Sequence, residues 1–213
     1  MALETKAKYM FAWLILTSIV YFSVQALVTH SYSFLTPIDG LIPFVPEFVW
    51  IYHTLIPVIV STTVFSMQRR DVFFKTVIAL TLCMAVLTVF HVIFPSFYPR
   101  QEIEPTSYFS ISVWLVEITR QFDAASNTFP SGHVAFSWIL YFCVRDSEYA
   151  KRKKSLPSTY LLWAVLISMS TLFLKQHYIF DVIAGIILAH IMVIVSKRII
   201  EKSRYLQHEV TNP

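Results

Sequence analysis

The sequence predicts an all-α integral membrane protein, a six-transmembrane-helix bundle with a short interfacial helix in an outer loop. The first observation behind this prediction is composition, because the 213 residues are 56% hydrophobic and only 14% charged, whereas soluble domains carry roughly 25% charged residues. The second is distribution, because long stretches contain no Asp, Glu, Lys or Arg, namely residues 9–38, 48–68, 76–99, 124–144 and 155–174. These observations exclude a disordered chain and disfavour a soluble helical bundle.

The uncharged stretches predict where each helix crosses the membrane. A spanning helix needs about 20 mostly apolar residues, and the shorter run 182–196 extends past Lys197 and Arg198 into further apolar residues. We therefore expect one membrane-embedded domain over residues 1–213, with spans at about 9–29, 48–67, 76–94, 132–146, 157–174 and 179–197. The first apolar run is longer than the core of a signal peptide, so we expect it to be retained.

Lysine and arginine are distributed unevenly between the two sides of the predicted spans. With the N-terminus placed inside, only Arg100, Arg120 and Lys175 of the 17 lysines and arginines fall on the outer side. Because cytoplasmic loops of membrane proteins are enriched in these residues, we expect both termini to be cytoplasmic. The basic excess is then an orientation signal, and we predict membrane lipids as partners and no nucleic acid.

The outer connections are long and partly apolar. Residues 30–47 contain three prolines and the turn pair Asp39-Gly40, which is typical of an ordered loop. In the longer connection, 95–131, residues 107–122 have apolar side chains at helical spacing, which predicts the interfacial helix. Long loops in compact proteins are usually functional.

Three outer segments place polar residues at the same membrane face, and each contributes to a predicted phosphate site. The predicted spans that begin near Gly132 and near residue 179 both start on the outer side, and a helix N-terminus offers free N–H groups to an anion. Pro130, Ser131 and Gly132 suit such a start. Arg100 and Lys175 add positive charge at this level. We therefore predict that Arg100, Ser131, Gly132 and Lys175 bind phosphate.

Two histidines and an aspartate supply the predicted chemistry. His177 and Asp181 are four residues apart at a helix start and so share one face, and an adjacent carboxylate orients a histidine that acts as nucleophile or base. His133 can act as a second proton-transfer group. These parts suit phosphoryl transfer. The sequence has no H-x-x-H, C-x-x-C or clustered-carboxylate pattern, so we predict no metal and no other cofactor.

These segments resemble the signature of the type-2 phosphatidic acid phosphatase superfamily. Its blocks are K-x-x-x-x-x-x-R-P, P-S-G-H and S-R-x-x-x-x-x-H-x-x-x-D. The chain has P-S-G-H at 130–133 and S-T-L-F-L-K-Q-H-Y-I-F-D at 170–181. The resemblance implies that His177 attacks phosphorus to form a phosphohistidine, that Asp181 orients His177, and that His133 protonates the leaving oxygen. It also implies that Ser131, Gly132 and Arg100 bind phosphate oxygens.

Two positions depart from this signature. Residue 93 is Ile where the family has Lys, and residue 171 is Thr where it has Arg, while Pro99 precedes Arg100 instead of following it. The Pro-Arg order and the 42–47 loop are similar to the inositol-phosphorylceramide-synthase-like branch.

The acceptor of the phosphoryl group therefore stays open at this stage. Water as acceptor implies a phosphatase acting on a lipid phosphate or pyrophosphate at the outer surface, and this is our first prediction. A lipid or headgroup hydroxyl implies a phosphotransferase. A non-catalytic lipid-binding protein or a transporter is a more distant alternative, because transporters place ionisable residues near the membrane midplane, whereas here, apart from the histidines, they cluster at the outer ends. The oligomeric state is not predicted.

Overall fold

The computed structural model describes residues 3–27, 32–67, 69–100, 103, 110–123 and 126–203. Over these residues it is all-α, with two isolated bridges, Tyr32 to Ser96 and Phe97 to Ser126, and no longer strand. The helices are α1 (Leu3–Leu27), α2 (Pro37–Leu41), α3 (Val49–Tyr52, preceded by a 3-10 turn at Pro46–Phe48), α4 (Leu55–Ser66), α5 (Arg70–Ile93), α6 (Ile111–Phe122), α7 (Gly132–Arg145), α8 (Glu148–Arg152), α9 (Ser155–Phe173) and α10 (Ile179–Lys202).

Four of the described helical segments are long and apolar enough to cross a membrane. They are Pro46–Ser66, Arg70–Ile93, Ser155–Phe173 and Ile179–Lys202, and they coincide with four of the six predicted spans. In α1 the apolar part is Ala12–Leu27, and residues 28–29 of the predicted first span lie outside the described residues. The helix α7 has only 14 residues, about 21 Å, because the uncharged run before it includes the non-helical turn that leads to Gly132. The count of six spans therefore stays a prediction.

The helix α7 lies at the centre of the bundle and packs against α5, α9 and α10. Its inward face is fully buried at Ala135, Ile139 and Leu140, and this face joins the apolar core formed with α5 and α10. The two helices approach closely at Gly185 of α10, where a Cβ atom would lie 2.8 Å from the carbonyl oxygen of Ser131. Glycine therefore lets α10 contact the backbone at the start of α7.

The loop 32–45 is folded against the start of α10. The Asp39 carboxylate caps its own short helix by accepting from the backbone N–H of Thr36 (2.8 Å), and its second oxygen accepts from the N–H of Ile179 (2.8 Å). The N–H of Val45 donates to the carbonyl of Phe173 at the end of α9 (3.0 Å). These contacts bring the loop to the end of the bundle where α7 and α10 begin.

The helix predicted within residues 107–122 is α6, which begins at Ile111, while residues 107–109 lie outside the described residues. Its apolar side chains Ile111, Trp114 and Phe122 are exposed, whereas Val113 and Val116 are buried against the protein. Such a helix has one face toward the protein and a second apolar face that suits a membrane interface.

Candidate active site

The chain between α9 and α10 places His177 in a buried turn. Beyond Phe173 the backbone N–H groups of Gln176 and His177 both donate to the carbonyl of Thr171, at 2.9 and 3.2 Å. Lys175 has φ of 56°, so the chain turns through a left-handed residue before α10 begins. The backbone position of His177 is therefore fixed by this turn, independently of its side-chain contacts.

The His177 ring has a defined tautomer. Its Nδ1 lies 2.8 Å from the carbonyl oxygen of Thr128 and 3.3 Å from Oδ2 of Asp181. Because a carbonyl oxygen only accepts hydrogen bonds, Nδ1 carries the proton and donates it. The lone pair of the ring is then on Nε2, the nitrogen suited to attack an electrophile.

Asp181 is fully buried at the third position of α10. Its Oδ2 also accepts from the backbone N–H of Tyr178 at 2.9 Å, so the carboxylate caps its own helix and orients His177 at once. The structure thus brings together the two residues that the i, i+4 spacing predicted to share a face. Its position one turn into α10 keeps the negative charge at the positive end of the helix dipole.

His133 lies on the first turn of α7, close to His177. The centroids of the two imidazole rings are 6.2 Å apart, so both side chains can contact one phosphoryl group. The His133 ring is stacked on the Tyr52 ring, with a centroid distance of 4.2 Å and an interplanar angle of 25°. An aromatic face of this kind favours a positively charged partner.

Ser131 and Gly132 form the start of α7 as predicted. The N–H of Val134 donates to Ser131 Oγ at 3.4 Å, which caps the helix, and the N–H of Ser131 donates to the carbonyl of Asp181 at 3.1 Å. The Ser131 hydroxyl is therefore part of a helix cap and the turn is joined directly to α10. The backbone of Gly132 carries no side chain that would obstruct an anion.

Sequence reasoning missed Asp123, which joins three elements beside this site. Its two carboxylate oxygens accept hydrogen bonds from the hydroxyls of Tyr21 and Tyr52, both at 2.8 Å. Tyr21 belongs to α1, so α1 is connected to the same end of the bundle, and Tyr52 connects Asp123 to the stacked His133 ring. The available signal was an acidic residue just before the P-S-G-H block, but no sequence pattern pairs it with the tyrosines.

The Arg100 side chain is held at the site by hydrogen bonds to uncharged oxygens. Its guanidinium donates to the carbonyls of Asp123 (2.7 Å) and Arg120 (3.3 Å) and to Oε1 of Gln176, the residue before His177. Burial lowers the pKa of the guanidinium from its ordinary value, and the nearby Asp123 carboxylate acts in the opposite direction. None of the three acceptors is a carboxylate, so the positive charge is available to an anionic ligand.

Lys175 makes different contacts from those predicted. Its ammonium donates to the backbone carbonyls of Asp39 (2.9 Å) and Ile42, and burial lowers its pKa from the ordinary value. These bonds join the α9–α10 turn to the loop 32–45. They give Lys175 a tethering role, and its predicted phosphate contact stays a prediction.

The described residues include no group of three or more His, Cys, Asp and Glu side chains placed to hold a metal ion. The donors near His177 include the Arg100 guanidinium and the N–H groups at the start of α7, which suit an anion.

Comparison with known proteins assigns the family. Residues 74–205 match the model of the PAP2 superfamily, which is more than half of the chain, so the chain belongs to the PAP2 superfamily. The predicted resemblance is confirmed, and the protein is an enzyme of the lipid phosphatase and related phosphotransferase class.

One solved structure with the same fold is the crystal structure of Aquifex aeolicus LpxE. It is 18% identical to this chain with a TM-score of 0.51, and the match covers 87% of this chain and 94% of that chain. At this identity the likeness concerns the fold. No curated protein matches the chain at a significant level.

Proposed function

We propose that the protein hydrolyses a lipid phosphate monoester or pyrophosphate at the outer membrane surface, through a phosphohistidine on His177 and without a metal. The observation that carries this proposal is the hydrogen bond from His177 Nδ1 to the Thr128 carbonyl, at 2.8 Å. It leaves Nε2 with its lone pair, in a site where Asp181 orients the ring and the His133 ring is 6.2 Å away.

In the first step, Nε2 of His177 attacks phosphorus as the bond from phosphorus to the lipid oxygen breaks. The protonated His133 gives its proton to that oxygen, so the lipid alcohol, or lipid phosphate from a pyrophosphate, leaves without a developing charge. The His177 ring gains a positive charge when it is phosphorylated. The Asp181 carboxylate, 3.3 Å from Nδ1, stabilises that charge.

In the second step, water attacks the phosphorus of the phosphohistidine. Neutral His133 accepts a proton from this water, the N–P bond breaks, and inorganic phosphate leaves with His177 restored. His133 thus acts first as acid and then as base. The stacked Tyr52 ring, whose hydroxyl is bonded to Asp123, holds the His133 ring in one position for both steps.

Charge on the transferred phosphoryl group is balanced by Arg100 and by the start of α7. The Arg100 guanidinium is bonded only to uncharged oxygens among the described residues. The N–H of Gly132 lies at the positive end of the α7 dipole, whereas the N–H of Ser131 is bonded to the Asp181 carbonyl. Lys175 acts by holding the loop, through its bonds to the Asp39 and Ile42 carbonyls.

The outer location is supported by the distribution of charge and by the site's position. His133 and His177 lie at the starts of α7 and α10, at the end of the bundle where Arg100 and Lys175 are the basic side chains of the site. The lysines and arginines elsewhere fall mostly on the other side of the predicted spans, which the positive-inside rule assigns to the cytoplasm.

The direct test is substitution of His177. Purified His177→Ala in detergent should release no phosphate from a short-chain phosphatidate, since the nucleophile is lost. His190→Ala is the matched control, because His190 is an exposed histidine of α10 packed beside Phe142, and it should keep full activity. Phosphate release by His177→Ala at the wild-type rate would refute the proposal.

A headgroup phosphotransferase would share the first step and differ in the acceptor. Wild-type protein is incubated with lipid phosphate alone and with added lipid or polyol hydroxyl acceptors. Phosphate release without an acceptor is the expected result. A phosphorylated product formed only when an acceptor is present would replace the phosphatase by the phosphotransferase.

A further inference from the structure

Two buried amide side chains near His177 have unused hydrogen-bonding groups. Asn127 is 4% exposed, and neither its Nδ2 nor its Oδ1 has a partner among the described residues. Gln176 is also 4% exposed, and its Nε2 has none within the same residues. Buried polar atoms in proteins are nearly always hydrogen-bonded, and those that are not call for a specific explanation such as a role in catalysis or ligand binding.

The orientation of the Gln176 amide follows from its neighbour. A guanidinium only donates hydrogen bonds, and Arg100 donates to Oε1 of Gln176. The oxygen end of the amide is therefore held by Arg100, and the unpaired end is the NH₂ group. Gln176 directly precedes His177 in the chain, so the residue next to the proposed nucleophile carries an unused donor.

Asn127 is held in place by its backbone. Its N–H donates to the carbonyl of Ser96 at 2.8 Å, and its φ of 57° is in the left-handed region, which asparagine adopts more readily than most residues. The next residue, Thr128, supplies the carbonyl that accepts from His177 Nδ1. Asn127 is thus one residue away from the group that fixes the nucleophile.

The two positions where the family signature has basic residues do not supply these donors. Ile93 is 59% exposed at the end of α5 and is apolar. Thr171 is fully buried, and its hydroxyl donates within α9 to the carbonyl of Ser168 at 2.8 Å. The phosphoryl oxygens therefore need donors from elsewhere in the site.

We propose that the side-chain amides of Asn127 and Gln176 bind phosphoryl oxygens of the substrate, in place of the two basic residues of the family signature. Their NH₂ groups donate to the oxygens, while Arg100, bonded to Gln176, supplies the positive charge. The ligand class is a phosphate monoester or inorganic phosphate held by neutral donors beside one cation. This inference rests on the proposed function, because it assigns these amides to the same phosphoryl group that His177 attacks.

The test measures binding of inorganic phosphate as a competitive inhibitor, with kcat and KM for a short-chain phosphatidate. Gln176→Glu keeps the shape but replaces the donor with a carboxylate, so the inhibition constant for phosphate should rise at least about tenfold, the loss expected for one hydrogen bond to a charged group. Gln121→Glu is the matched control, because Gln121 is an exposed residue of α6, and it should leave the constant unchanged.

Asn127→Gly separates a ligand contact from a structural role. Glycine adopts a positive φ freely and removes an unpaired buried amide, so thermal stability should be kept or increased. Phosphate binding should nevertheless weaken about tenfold. A purely structural asparagine would give the opposite pattern, with reduced stability and unchanged phosphate binding, and that result would overturn the assignment of Asn127.

The outcomes distinguish this inference from the proposed function. If His177→Ala is inactive but Gln176→Glu and Asn127→Gly bind inorganic phosphate as the wild type does, the amide inference is wrong and the phosphohistidine proposal stands. If His177→Ala retains activity, the proposed function fails. Weaker phosphate binding in both amide variants, with the Gln121→Glu control unchanged, supports the inference.

Discussion

At the scale of single residues, the proposed nucleophile is oriented by a backbone group as much as by a side chain. His177 Nδ1 is 2.8 Å from the Thr128 carbonyl and 3.3 Å from the Asp181 carboxylate. Asp181 was predictable, because a spacing of four on a helix puts two side chains on one face. The Thr128 carbonyl was not, since it depends on a loop folding back from 49 residues earlier in the chain. The two acceptors have different roles: the Thr128 carbonyl selects the tautomer of His177, and the Asp181 carboxylate supplies a negative charge.

These separate roles predict the effect of Asp181→Asn on kcat. The variant keeps an oxygen that can accept from the N–H of Tyr178, and the Thr128 carbonyl still selects the tautomer. The negative charge that stabilises the phosphorylated His177 is lost, so kcat should fall by roughly 100-fold, less than the roughly 10⁴-fold loss seen where such a change also disturbs the tautomer. Steady-state phosphate release measures it, and a change of less than twofold would contradict the role of the carboxylate.

At the scale of elements, the site depends on how closely α10 approaches the start of α7. The helix start at Ser131 and Gly132 was predicted from local signals, a proline, a capping serine and a glycine. The contact of that turn with α10, through the bond from the Ser131 N–H to the Asp181 carbonyl at 3.1 Å, is a packing property between distant segments. No local pattern in a single sequence encodes it, which is why it appears only in the structure.

Gly185 tests this contact. In Gly185→Ala the new methyl group would lie 2.8 Å from the Ser131 carbonyl oxygen, so α10 must move away from α7. We expect a loss of roughly 1–3 kcal/mol in stability, typical of overpacking, and at least about tenfold in kcat, because His133 and His177 are separated. Thermal unfolding and phosphate release measure the two effects.

Gly40→Ala is the matched control, because a Cβ atom there would meet no atom of the described chain within 4 Å. It should match the wild type in both measurements. Gly185→Ala with wild-type stability and activity would show that the approach of the two helices is not needed.

At the scale of the whole molecule, the apolar composition predicted a helical membrane protein. The distribution of lysine and arginine predicted on which side of the membrane each connection lies. The apolar runs placed four helices that the structure also finds long and apolar enough to span a membrane. The fourth span was predicted at about 132–146, and the structure gives α7 nearly the same bounds, Gly132–Arg145, because the Pro-Ser-Gly turn marks where the helix begins. The contacts of Lys175 could not be predicted, since its partners, the Asp39 and Ile42 carbonyls, lie in a loop 133 or more residues earlier.

The donor set of the whole site predicts activity without a metal. Arg100, the α7 start and the proposed amide donors together offset the charge of the phosphoryl group, so catalysis does not need a divalent ion. Phosphate release should be unchanged after exhaustive chelation and dialysis. Loss of activity that is restored by added Mg²⁺ or Zn²⁺ would contradict this account.

The central claim is that the reaction passes through a covalent phosphohistidine at His177, and trapping measures it directly. Wild-type protein is mixed with a ³²P-labelled lipid phosphate, quenched with alkali within milliseconds to seconds, and digested for peptide mapping. We expect a phosphate bond that is stable in alkali and labile in acid, located on the peptide containing His177 and absent from His177→Ala. Turnover of the substrate with no labelled protein at any quench time, or label on another residue, would contradict it.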